Sequence, residues 1–146
     1  MASNYKRTFG VSNVTSATAA ISDGAYLGQP IVMNRAAGIV ATLPAATGSG
    51  NEYEFIGAVD ASGDQVIQVT TTDTMAGYAF LGNDSAAISA FYTGATSDTI
   101  TLNGTTTGGL KGWRVIVTDI ASATWAVEVR SEASGVEATP FSAAVS

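Results

Sequence analysis

Carboxylates are the one catalytic device that this sequence leaves open. The chain has 12 Asp and Glu, 6 Lys and Arg, and neither histidine nor cysteine. Without histidine it lacks the commonest general base and the commonest metal ligand. Serine-histidine-carboxylate triads, histidine- or cysteine-ligated zinc, thiol catalysis and disulfides are therefore excluded within the chain. What remains is a pair of acids of the kind glycosidases use at set separations. Glu52 and Glu54 alternate with Tyr53 and Phe55. On a strand they share one face, about 7 Å apart. The plainer reading is a solvated face bearing two acids, because no sugar-stacking aromatics accompany them at a recognisable spacing. Asp60 and Asp64 flank a glycine turn, but the five or more oxygen ligands of a calcium loop are missing. Turn aspartates of this kind serve local hydrogen bonds.

The other chemical signals are weak. Gly48-Ser49-Gly50 and Gly108-Gly109 lack the following Lys-Ser/Thr and the helix start of a phosphate loop. Ser49 lacks the Gly-x-Ser-x-Gly spacing. Trp113 and Trp125 could make a ligand platform, yet they run in phase with Val115, Val117, Val127 and Val129, as core residues do. The residues therefore predict no catalytic group, no metal site and no cofactor.

Strands must position all of these groups. Period-two patterns recur from Tyr26 onward: 30–35, 38–43, 52–56, 65–70, 77–81, 87–92, 99–102, 113–118 and 125–130. Turn signals separate them, among them Ser62-Gly63-Asp64, Gly82 to Ser85, and Asn103-Gly104 opening a loop through Gly109. No apolar pattern at helical spacing persists beyond about two turns. The expectation is an all-β chain: one antiparallel β-sandwich or β-barrel domain over residues 25–131. Residues 1–24 read as an N-terminal arm with one short strand near Tyr5–Val11, and residues 132–146 as a C-terminal tail with Phe141 as an anchor. An arm of this kind implies that residues 1–20 can be deleted without loss of the β-domain.

Composition bounds the rest. At 146 residues the chain makes one domain. Folding would leave about 7,000 Å² of surface from about 21,000 Å² unfolded, enough to bury a core without staples. Charged residues are only 12 %, about half the usual share, so hydroxyls and amides must keep the surface wet. Ala, Gly, Ser and Thr fill about half of all positions, and such a surface loses little side-chain entropy when another protein covers it. The net charge of −6 opposes a nucleic-acid groove. No apolar run approaches the roughly 20 residues of a membrane span. Lys6 and Arg7 are followed by no apolar h-region, so the start reads as a cytosolic product that loses at most Met1.

Ile39 to Gly50, followed by Tyr53-Glu54-Phe55, resembles a pattern in virion structural proteins of tailed bacteriophages. Similar stretches are Asp73 to Gly77, Thr99 to Gly109, Val117 to Ala121 and Gly135 to Ser142, so that the resemblance covers roughly residues 26–142. The family is that of small capsid decoration, or cement, proteins. The resemblance implies a homotrimer on the outer surface of the virion capsid, made in the host cytoplasm. Its partner would be the major capsid protein, held against internal DNA pressure, with no catalytic residue to carry over. On that expectation Tyr5, Lys6, Arg7 and Phe9 of the arm touch the capsid. Phe80, Leu81, Phe91 and Tyr92, apolar residues beside a turn, form the subunit interface. The alternative is a head- or tail-fibre module that binds a host-surface receptor or glycan through loop 103–109.

Overall fold

A computed structural model describes residues 10–70 and 72–145. Two sheets pack face to face, as expected of an all-β sandwich. The strands are β1 (Ser12–Val14), β2 (Thr18–Ala20), β3 (Pro30–Met33), β4 (Ile39–Thr42), β5 (Glu52–Gly57) and β6 (Gln65–Gln68). They continue with β7 (Thr74–Gly82), β8 (Ile88–Tyr92), β9 (Thr99–Leu102), β10 (Arg114–Ala121), β11 (Thr124–Glu132) and β12 (Phe141–Ser142). A single helical turn, α1 (Asp23–Tyr26), links β2 to β3. The larger sheet has the order β1-β3-β5-β10-β11-β7-β8 and the smaller β12-β9-β6-β4-β2.

The pairing is mixed, which corrects the expectation of a purely antiparallel sandwich. From β1 to β6 the chain alternates between the two sheets. Each strand therefore lies beside the one two places earlier, running in the same direction. β1, β3 and β5 are parallel in one sheet, and β2, β4 and β6 are parallel in the other. Period-two patterning records which face is buried but not which sheet a strand joins, so this winding has no sequence signature. The later strands add antiparallel partners: β10 on β5, β9 on β6, and β11 on β10.

Residues 12–21 are not a free arm. β1 caps the edge of one sheet against β3 and β2 caps the other against β4. Val14 and Ile21 are buried in the core. Small polar residues hide this role, because β1 buries only Val14 and β2 buries none of its own residues, leaving the adjacent Ile21 to reach the core. The tail also returns to the fold, where β12 pairs with β9 and buries Phe141.

The core fills the space between the sheets. Tyr53, Phe55, Val115, Val117, Val127 and Val129 come from the larger sheet, and Ile39, Ala41, Ile67, Ile100 and Leu102 from the smaller. Val115 lies opposite Val129 and Val117 opposite Val127, all four on the buried face that the sequence phase predicts. Trp113 and Trp125 are buried, so neither is a surface platform. The Trp113 indole lies over Gly57, where a Cβ would come within 2.0 Å of Nε1. Only glycine leaves room for that ring.

Candidate functional site

Buried aspartates organise the loops in this charge-poor chain. Asp119 ends the paired run of β10 on its inner face, opposite Trp125. Its carboxylate accepts the backbone N–H groups of Thr47, Gly48 and Ser49 at 2.7 to 3.1 Å. The Ser49 hydroxyl adds a fourth donor at 2.7 Å. Gly48 takes a φ of +80°, which turns successive N–H groups toward one point. Burial alone would push the Asp119 carboxyl up. The Ser49 hydroxyl and the three N–H groups outweigh it and hold the carboxyl well below the usual carboxylate range. Gly48-Ser49-Gly50 is thus an anion cradle after all, and the anion is the chain's own.

Other carboxylates act likewise. Asp73 accepts the Ala46 N–H at 2.7 Å and pins the same loop from its other end. Asp98, buried beside β9, accepts the N–H groups of Ala144 and Val145 at 2.8 and 3.1 Å and so ties down the tail. Asp60 accepts the Lys111 N–H at 2.7 Å, a long-range tie rather than a local turn bond. Asp23 of α1 accepts the Tyr53 hydroxyl and, at 2.9 Å, the Asn51 amide. Burial, then that hydrogen bond and the Asp23 charge, with a smaller push from Asp119, raise the Tyr53 phenol above its ordinary value. Among the described residues no three acidic side chains gather as a metal site.

Glu52 and Glu54 do share the outer face of β5. Glu54, however, is not solvated: it is 3 % exposed and accepts Arg114 Nη1 at 3.1 Å. Loop 103–109 spends the Asn103 side chain on itself and bonds its backbone to Ala61, Ser131, Ser134 and Ala138. Asn103 Oδ1 accepts the N–H groups of Thr105 and Thr107, and Asn103 Nδ2 donates to Thr106.

The four expected interface residues divide by strand alternation. Leu81 points into the sandwich and is fully buried, so it is core. Phe91 is partly buried and packs against the core. Phe80 and Tyr92 lie on the outer face of the β7–β8 hairpin, 40 % and 73 % exposed. The structure adds Ile88, which is 73 % exposed at the other end of β8. Its alternation with Ala90 and Tyr92 was the available signal. Tyr5, Lys6, Arg7 and Phe9 lie outside the described residues.

No known protein family matches this chain, and no curated protein sequence matches it. The surface itself must carry the functional reading. β8 is the last strand of the larger sheet, and its outer edge pairs with no strand among those described. Ile88-Ser89-Ala90-Phe91-Tyr92 contains no charge and no proline. Such an edge presents backbone donors and acceptors ready for another chain, without the Lys, Pro or bulge that protects most edges.

Proposed function

We propose that this chain is a structural binding module that coats the outer surface of a phage capsid as a homotrimer and clamps the shell against pressure from within. The observation that supports it best is the edge of β8, which has no charged residue of its own, pairs with no described strand and is flanked by exposed Ile88, Tyr92 and Phe80. Complete burial of a fully exposed large apolar side chain is worth about 1.5–3 kcal/mol, and Phe80 has only 40 % of its surface left to cover. Three together reach no further than the low end of the roughly 4–15 kcal/mol that association costs in lost freedom. One such contact is therefore weak alone and useful when repeated. A ring of copies on a symmetric shell supplies that repetition, because each later contact is effectively intramolecular. The loops suit the same role. Asp73, Asp98 and Asp119 hold them in place before binding, so little order remains to be imposed on the shell.

Cosedimentation of the purified chain with shells of the major capsid protein from the same genome tests this reading, alongside native mass measurement. The expected results are saturable binding, a trimer mass, and loss of one or both in Ile88→Lys and Tyr92→Lys. A monomer that leaves the shells bare would overturn the reading.

A further inference from the structure

The outer face of the larger sheet carries a second feature in its middle, bordering the β8 patch through Tyr78, which lies opposite Tyr92. Registers across β5, β10, β11 and β7 align Glu54, Ile116, Glu128 and Tyr78 in one row. The next row aligns Ile56, Arg114, Arg130 and Phe80. Two arginines directly opposite each other repel, and the fold gains nothing from that placement. Each is instead held by its own carboxylate: Glu54 accepts Arg114 at 3.1 Å, and Glu128 pairs with Arg130. Glu54 is almost wholly buried beneath the cluster, so the Arg114 head is fixed from below.

These side chains wall a groove of about 280 Å³ over Ile116. A second groove of about 340 Å³ shares Ile116 and Glu128 with it and continues over Thr118, Ala126 and Ala76 to Tyr78. The pair makes a trough with a floor of small and apolar residues, paired charges at one end, and the Tyr78 ring along its side next to Glu128.

We propose that this trough binds a neutral oligosaccharide. A sugar hydroxyl both donates and accepts, and the trough offers guanidinium donors beside carboxylate acceptors. Glu52, Glu54 and Glu128 against Arg114 and Arg130 leave the lining with a net charge of −1, which disfavours an acidic glycan. The small floor residues leave width for a pyranose ring, and Tyr78, tilted against Phe80 at 4.9 Å, offers a face to its C–H groups. A peptide is less suited, because it would need backbone partners and the strands flanking the trough already have theirs. The reading stands whether or not the chain coats a shell.

The test is an array of neutral tri- to hexasaccharides of glucose, mannose, galactose, xylose and N-acetylglucosamine, beside uronate and sialylated ones, followed by calorimetry. At least one neutral glycan should bind below about 1 mM. Tyr78→Ala and Glu128→Gln should each weaken it by about tenfold or more, in protein whose circular dichroism remains that of the native fold. Ala126→Arg, which fills the floor without removing a contact, should abolish binding. Ile88→Lys on the β8 edge should leave it intact, which separates this site from the shell contact. Failure of every neutral glycan, binding confined to acidic glycans, or indifference to all three trough substitutions would overturn the proposal.

Discussion

Replacing Asp119 should show how much of this fold depends on its internal anion cradle. In Asp119→Ala the N–H groups of Thr47, Gly48 and Ser49 and the Ser49 hydroxyl lose their shared acceptor. Hydrogen bonds to a charged group are worth about 1.5–3 kcal/mol each. Simple addition overshoots, because residues 47–49 are exposed and water can reach the freed donors. A net cost of about 2–4 kcal/mol follows, or roughly 5–15 °C in melting temperature for a chain of this size. Asp119→Asn keeps the shape but removes the charge and turns an NH2 toward donors, and should cost about 1–2 kcal/mol. The pH dependence separates charge from packing. Asp119 is depressed in the folded state, so its contribution is present above the unfolded value near about 3.9. That contribution fades as pH falls toward the folded value. The gap between native chain and Asp119→Asn should therefore be full at pH 6 and narrow toward about pH 2. Thermal melting of both proteins across that range is the assay. Equal stability at pH 6, or a gap that does not change with acid, would refute the reasoning.

Three further outcomes follow from the packing. Gly57→Ala drives a Cβ into the Trp113 indole and should cost about 2–4 kcal/mol, read as a lower melting temperature with altered tryptophan fluorescence. Ile21→Ala should cost about 2–4 kcal/mol in chemical denaturation, since Ile21 is core rather than arm; a cost near zero would restore the arm reading. Asp98→Asn should speed hydrogen exchange at Ala144 and Val145 and leave the amides of β10 and β11 protected, as mass spectrometry of peptides would record.

The strands were largely legible because alternation is a local property. Trp113 to Val117 and Trp125 to Val129 show their phase directly, and the structure keeps that phase, but the register is not local: Asp119, not Val117, lies opposite Trp125. Sheet membership was not legible, since β3 and β4 look alike in sequence yet join different sheets. β1 and β2 escaped notice because Ser12–Val14 and Thr18–Ala20 are three residues each, too short for a period to emerge. The outer trough was invisible for a related reason. Glu54, Arg114, Glu128 and Arg130 are scattered over 77 positions and meet only through strand register. The glycine loop was visible as a cradle without its guest, because Asp119 lies 70 to 72 residues away from the donors it holds.

Imaging of particles produced by the genome that encodes this chain tests the central claim most directly. Reconstruction of the capsid at subnanometre resolution should show density for a two-sheet domain in trimers at symmetric positions on the outer shell, with the β8 edge turned toward a neighbour. Capsids with bare outer surfaces and no copy of this chain in the purified particle would contradict the account.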